Sequence, residues 1–486
     1  MTPTVPVPKE FRLALDPATK RLAPDVLFGG VPARVIRLSE AGQAVLATLN
    51  AAPIASRAAG MLARRLTDAG LAHPRPTELT QRPDVTVVIP VHDRPRELDR
   101  CLGALGASHP IVVVDDGSRE AEAIAKVAAE HGARLIRRAS NGGPGAARNT
   151  GLDVVTTELV AMIDSDCVPT AGWIGALAAH LVDPLVAVAA PRIAAAEVGP
   201  CSGRPRNEAV SRQRPGYAAR YATARGILDL GAVEARVQPL GRVAFVPSAA
   251  FVARTAVLRE HGGFDAGLRT GEDVDLIWRL HKAGHRIRYD TRATVTHHEP
   301  DQWRVLLRRR FRYGTSAGAL ARRHPEAMPP LVLNPWPAAA VAGAIAASPA
   351  VIVAGVVGSY VQTKRALRKA EVPTAQATRM AAAGIVQTWL ASGRYAAQLG
   401  FPLLLAALLR RRTRPAVAAL LLGPALINWW RGGRGRLDPF RFTAAHLVDD
   451  AVYGAGVWAG AISERTSIPL TPVGTRRARK ALQQHG

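Results

Sequence analysis

A chain of 486 residues, 48% of them hydrophobic, is too long for one ordinary core and implies two to four domains. Its formal charge of +25 is uneven: residues 301–486 hold 26 Lys and Arg against 7 Asp and Glu, so +19 of it lies there. Those basic residues are interleaved with Ala, Leu and Val rather than with stacking aromatics, which argues against nucleic acid as a partner and favours anionic lipid headgroups.

The opening MTPTVPVPKEF has three prolines in eight residues and no apolar run, so it does not read as a secretory signal. Cys101, Cys167 and Cys201 are far apart with no CxxC spacing, which argues against a zinc site or disulfide framework and fits a reducing cytoplasm. The expected location is the cytoplasmic face of the cell membrane.

Residues 1–80 read as a small module. Short apolar runs separated by Asp-Pro and Gly-Gly predict strands, and LSEAGQAVLATLN, with Ser39 as cap, and AAGMLARRLTDAGL, ending at Gly70, predict helices. Strands followed by helices suggest a winged-helix-like unit, and HPRPTELTQRPD is read as the linker. From 84 to 325 apolar runs such as VTVVIPV, IVVVDD and LVAMID alternate with helix-like stretches. That texture predicts an α/β catalytic domain with a Rossmann-like, mostly parallel sheet and a site at the carboxyl ends of the strands.

Residues 330–465 are Ala/Leu-rich and predict an all-helical, membrane-associated region; 466–486 form a basic tail. Residues 337–361 carry no charge over 25 positions, enough to cross a bilayer, but Pro349 splits the run, so a hairpin of two short helices fits equally.

Four acidic or glycine-rich clusters carry the chemistry. VVVDDGS ends a strand in Asp115 and Asp116, carboxylates able to accept from a base and a ribose, with His92 and Asp93 as the neighbouring wall. NGGPGAARNTG combines small residues for close backbone approach with Arg148, which can meet phosphate or order carboxylates. In MIDSD, Asp164 and Asp166 are two apart and point the same way if the strand persists, a pair of hard ligands for Mg²⁺ or Mn²⁺. In GEDVDLIWRL, Asp273 at a helix start suits a general base, with Glu272 as the fallback and Arg279 bracing carboxylates or phosphates. Of the pair in ATVTHHE, His297 and His298, one is expected to supply a metal ligand or a diphosphate contact; His298 is assigned to the metal.

In this order the clusters resemble the family-2 glycosyltransferases of the GT-A fold. The resemblance implies inverting transfer of a hexose from a nucleotide diphosphate sugar, with Asp93 and Asp116 at the nucleotide, Asp164 and Asp166 as the metal and ribose pair, and Asp273 as base. The acceptor motif Gln-x-x-Arg-Trp of processive members is matched only by Arg309-x-x-Arg312-Tyr313. VLFGGVPARVIRLSEAG and LARRLTDAGLAHP resemble the peptide-recognition modules of the pyrroloquinoline-quinone chaperone type. The whole chain resembles the mycofactocin-system glycosyltransferases, which implies UDP-glucose as donor and premycofactocin, a peptide-derived small molecule, as acceptor. A cell-envelope transferase using a lipid-linked or glycan acceptor is the alternative.

Overall fold

The computed structural model describes residues 5–49, 52–196, 216–368 and 372–478. The chain divides into two compact units, residues 1–194 with 228–297 and 482–486, and residues 195–227 with 298–481.

The first unit begins with strands β1 (Arg12–Leu15), β2 (Lys20–Ala23), β3 (Val26–Gly29) and β4 (Arg34–Arg37), helices α1 (Glu40–Leu49) and α2 (Arg57–Asp68), and strand β5 (Ala72–Arg75). Strands β2, β3 and β4 form one antiparallel sheet, while β5 returns to pair with β1. Phe11, Leu13, Leu27, Leu46, Ile54 and Leu66 fill the core between them. The first helix starts at the expected cap, where Ser39 Oγ accepts from Gly42 N at 3.2 Å, and the second at Ser56, whose Oγ accepts from Ala59 N at 3.1 Å. The stretch read as a linker from its prolines therefore opens with a strand, because Ala72–Arg75 supplies the backbone partner that β1 needs.

Ion pairs fasten this module to the rest of its unit. Arg64 Nη2 donates to both oxygens of buried Asp183 at 2.8 and 2.7 Å. Arg242 grips Asp16 through two nitrogens at 2.6 and 3.0 Å, and Arg286 grips Asp68 at 3.2 and 2.8 Å. The two-nitrogen pairs at Asp16 and Asp68 fix orientation as well as charge.

Nine strands make the main sheet: β6 (Val85–Val91), β7 (Ile111–Asp115), β8 (Arg134–Arg137), β9 (Leu159–Ile163), β10 (Cys167–Pro169), β11 (Val186–Ala195), β12 (Ala235–Val237), β13 (Ala250–Arg254) and β14 (Arg286–His297). The order is β10-β14-β11-β13-β9-β6-β7-β8, with β12 beside β14. Strands β8, β7, β6 and β9 run parallel, and α3 (Pro95–Leu105), α4 (Ala121–Glu130) and α5 (Pro144–Val154) connect them. Strand β13 is antiparallel to both β9 and β11, and β14 is antiparallel to β10 and β12. The sheet is thus mixed rather than mostly parallel. Strands β6, β7, β9 and the start of β11 show the unbroken buried runs of strands covered on both faces, while β8 at the edge does not. Three further helices, α6 (Trp173–Ala178), α8 (Thr255–Glu260) and α9 (Glu272–Lys282), belong to this unit, while α7 (Tyr217–Arg225) belongs to the second.

The second unit is helical: α10 (Trp303–Arg323), α11 (Pro335–Ile345), α12 (Pro349–Ala366), α13 (Thr374–Gln398), α14 (Phe401–Leu408), α15 (Arg414–Asn428) and α16 (Pro439–Ser463). Helices α10 and α16 meet through glycines. A Cβ on Gly318 would stand 2.1 Å from Gly460 O, and one on Gly456 would stand 2.1 Å from Phe311 O, so the two backbones touch as in small-residue helix pairs. Beside this contact, buried Arg310 donates to fully buried Asp449 at 2.6 Å. The uncharged stretch around Pro349 forms two helices, α11 and α12, with the proline opening the second, where its missing N–H costs nothing. Among the described residues no helix is long and apolar enough to cross a membrane.

Candidate active site

The site is built where β6, β7 and β9 end. After β6, Asp93 takes φ 53°, and its Oδ1 accepts from the backbone N–H groups of Arg119 at 2.6 Å and Glu120 at 3.4 Å. The Arg119 N–H is the main reason that the Asp93 carboxyl lies below its ordinary range. His92 Nδ1 lies 3.1 Å from Asp116 O, and both His92 and Asp93 keep exposed surface.

The two acids ending β7 face inward. Asp115 is fully buried and accepts from Ser118 N at 2.9 Å and from Arg137. Asp116 accepts from Gly142 N at 3.0 Å and Gly143 N at 2.8 Å, with Arg138 Nε 3.0 Å away. Asp116 therefore ties down the glycine-rich loop, while Asp115 holds the Ser118 turn and the end of β8. Between them and that loop sits Gly117 at φ 72°, where a Cβ would come within 2.8 Å of Asn141 N.

Beyond β9 the strand stops at Ile163, and Cys167 N donates to Asp164 O at 3.0 Å, closing a four-residue turn. Asp164 and Asp166 consequently do not share a strand face, as a continuing strand would require. Asp164 Oδ1 accepts from Arg148 Nη2 at 2.6 Å. Asp166 accepts from Arg94 and lies 3.5 Å from His297 Nε2. Antiparallel pairing of β10 with β14 sets His297 opposite Cys167 and so beside Asp166, while His298 follows the end of the strand and is exposed. Cys101 is buried beneath this turn, 3.8 Å from Asp164 O, and burial together with Asp166 and Asp164 pushes its thiol up, so it stays protonated.

The second acidic centre opens α9, after Gly271 in the left-handed region. Glu272 is buried and accepts from Arg148 Nη1 at 3.0 Å. Half-buried Asp273 accepts from Ser248 N at 3.2 Å and from Val274 N at 2.8 Å. Burial first, and the neighbouring Glu272 second, push the Asp273 carboxyl up to about 7 against the pull of Arg148. Arg279 donates to Asp275 at 2.7 Å, to Gly263 O at 2.7 Å and to His261 O, so its guanidinium braces the turn before α9.

Two links join the centres. Arg148, 2% exposed, bonds both Asp164 and Glu272; burial alone would lower its pKa, but these two carboxylates outweigh that and raise it. In the turn before β13, Ala249 O accepts from Asp164 N at 3.0 Å while Ser248 N donates to Asp273. Asn149 clamps α5 to the same neighbourhood, donating to Phe264 O at 2.7 Å and accepting from Phe264 N at 2.8 Å. The sequence therefore brings Arg148, Asp164, Glu272 and Asp273 into one cluster, with Asp166 on the same turn.

Sequence reasoning passed over Ser248, Arg94, Arg137 and Arg138, and chose His298 from the His pair where the register places His297 beside Asp166. A signal for His297 was present. Ala293, Val295 and His297 alternate inward along β14, whereas the arginines and Ser248 are ordinary polar residues on loops or strand ends.

A mixed sheet with paired acids at its strand ends, faced by a helix-start carboxyl, is the frame of this site, and two family models give its class, a glycosyltransferase. The family model for glycosyl transferase family 2 matches residues 86–231, and that for glycosyl transferase family group 2 matches residues 159–450. The pre-mycofactocin glycosyltransferases of two Mycobacterium tuberculosis strains, CDC 1551 / Oshkosh and ATCC 25618 / H37Rv, are each 36% identical over 483 residues, 96% of this chain and 98% of theirs. The chain belongs to the family-2 glycosyltransferases and, within them, to the family of the pre-mycofactocin glycosyltransferases. Succinoglycan biosynthesis protein ExoU of Rhizobium meliloti (strain 1021) is 27% identical over 215 residues, 42% of this chain and 58% of that protein. The solved mannosyltransferase PcManGT from Pyrobaculum calidifontis, in complex with GDP-Man and Mn²⁺, is 20% identical with a TM-score of 0.38, covering 72% of this chain and 88% of that one; so low a score carries no weight.

Proposed function

We propose that this enzyme moves glucose, with inversion, from UDP-glucose to premycofactocin in mycofactocin biosynthesis. One observation carries the chemistry: Asp273, held near a neutral pKa, is linked to the acidic end of β9 by the Ser248 turn, and its neighbour Glu272 is linked there by Arg148. The end-to-end likeness to pre-mycofactocin glycosyltransferases supports the acceptor class.

In a single displacement the acceptor oxygen forms the new bond to the anomeric carbon as the bond to the nucleotide diphosphate breaks on the opposite face. Asp273 takes the proton of the attacking hydroxyl, and a base of pKa about 7 is matched to that task near neutral pH. Glu272 strengthens Asp273 as a base by repulsion, and Arg148 keeps the two acidic centres from repelling each other apart. His92 and Asp93 are the exposed groups that would meet the nucleotide, with Asp116 holding the glycine-rich loop and Asp115 the Ser118 turn behind them.

For a divalent cation, Asp166 and His297 offer oxygen and nitrogen 3.5 Å apart, and Asp164 opens the same turn. Among the described residues no cluster of three or more His, Cys, Asp or Glu could hold a metal by itself. The set fits Mg²⁺ or Mn²⁺ shared with the donor diphosphate, where one or two protein ligands suffice. When bound there, the cation offsets charge on the leaving diphosphate.

In this reading the module at residues 1–80 is a winged-helix-like recognition element for the peptide-derived acceptor, and the helical unit rests on the cytoplasmic face of the membrane. Purified enzyme given UDP-glucose, Mn²⁺ and premycofactocin is expected to form a β-glucoside, read by NMR at the anomeric proton. Folded protein that is inactive on premycofactocin with every common sugar nucleotide would overturn the reading. A lipid-linked or glycan acceptor is the second reading, favoured by exposed apolar helix faces in the second unit. It predicts transfer to such acceptors that survives changes on the N-terminal module.

A further inference from the structure

Helix α15 turns Leu422 and Leu426 outward, and Trp430 continues the same i, i+4 spacing just past its end; they are 40%, 43% and 60% exposed. Exposed cations stand at both ends of this stripe, Arg410, Arg411, Arg412 and Arg414 before it and Arg431 and Arg434 after it. The Arg434 guanidinium lies 4.3 Å over the Trp430 ring. Phe440, 86% exposed, and Arg441 extend the pattern into the start of α16. Helix α12 repeats it: Val353, Val357 and Val361 share an exposed face that ends at Lys364, Arg365 and Arg368.

Charge decides what such a face meets. Residues 349–441 contain 14 Lys and Arg and two acids, Glu371 and Asp438, the latter 3.6 Å from Arg441. A protein partner would have to match apolar stripes with carboxylates at both ends, whereas an anionic bilayer presents that arrangement along its whole surface. Aliphatic side chains and Trp enter the boundary between headgroups and acyl chains, and guanidinium groups bind lipid phosphates above them.

We infer that α15, with the Trp430–Arg441 segment, lies in the plane of an anionic membrane surface and holds the enzyme there peripherally. This rests on the membrane reading above and names its contact residues.

The test is co-sedimentation of the purified full chain with vesicles of phosphatidylcholine alone or mixed with phosphatidylglycerol. Binding is expected only to the mixed vesicles and to weaken as salt rises. Replacing Leu422, Leu426 and Trp430 together by Gln should lower binding about tenfold or more, and Arg431→Ser with Arg434→Ser should lower it less. The melting temperature and transfer to a soluble acceptor should stay unchanged in both. Should the triple variant misfold, Phe440→Ser alone decides, with a smaller loss of binding expected. If the wild-type chain ignores anionic vesicles, the membrane reading falls and this inference with it. If the wild type binds and the folded variants bind equally well, the inference alone is overturned. A chain whose substitutions abolish a dimer rather than vesicle binding would also overturn it.

Discussion

The two acidic centres are each built on a pair of carboxyls close in sequence, yet their cations are distributed differently. At the end of β9 each acid meets an arginine, Arg94 for Asp166 and, for Asp164, the Arg148 that it shares with Glu272. At the start of α9, Glu272 and Asp273 are adjacent, and Arg148 donates only to Glu272. Local charge balance, rather than residue type, therefore distinguishes the two centres, and the proposed cation site and proposed base fall on different sides of that divide.

The hardest blow to this contrast is Asp273→Asn. Glucosyl transfer is expected to fall about 10³-fold, within the range that general-base catalysis contributes. Stability should move the other way. The folded carboxyl binds its proton at about 7 against an ordinary 3.8, so its favourable contribution is present at low pH and is lost as pH rises through 7. Asn at this position should therefore raise the melting temperature at pH 8, checked by calorimetry. An active Asp273→Asn enzyme would end the assignment.

Asp166→Asn and His297→Ala test the other centre. Each is expected to cost about 10- to 100-fold at limiting Mn²⁺, with part of the loss restored by excess metal, as titration of initial rate against Mn²⁺ would report. Chelation should silence the wild type and leave its fold intact in circular dichroism. Indifference to both substitutions would merge the two centres into one role.

Glu272→Gln sharpens the comparison without removing either centre. It takes away a repelling neighbour and leaves Arg148 closer to unpaired, and both changes lower the Asp273 pKa. The acid limb of the kcat/KM profile, expected near pH 7 in the wild type, should shift to lower pH. The smallest effect is expected from Gly145→Ala, whose Cβ would sit 3.3 Å from both Glu272 Cγ and Phe264 Cβ. The neighbours must yield slightly, at a cost of about 1 kcal/mol in stability and a few-fold in rate.

Strands β6, β7 and β9 and their acidic ends were legible because strands covered on both faces write themselves as unbroken apolar runs. The antiparallel half was not. Strand β10 has three residues, and β12 three more, too short for any period to show. The turn at Asp164–Cys167 was missed because alternation assumes that a strand continues, and only the pairing of β10 with β14 shows where it stops. Arg148 was found from its glycine-rich context, yet its bridging of two carboxylates 16 and 124 residues away is a tertiary fact. Pro349 announced the division into α11 and α12, since a proline at that point is more readily a beginning than an interior.

The clasp between the amino-terminal module and its own unit bears on how acceptor recognition can be mapped. Asp16, Arg64 and Asp68 are counter-charges to Arg242, Asp183 and Arg286, so excising residues 1–80 would strand those partners as bare ions in a poorly hydrated seam. An amputated enzyme that lost activity would report collapse, whatever the amputated part had recognised. Single exchanges at Lys20, Arg21 or Arg34, on the outward sides of β2 and β4, spare the clasp and put the question to the acceptor alone.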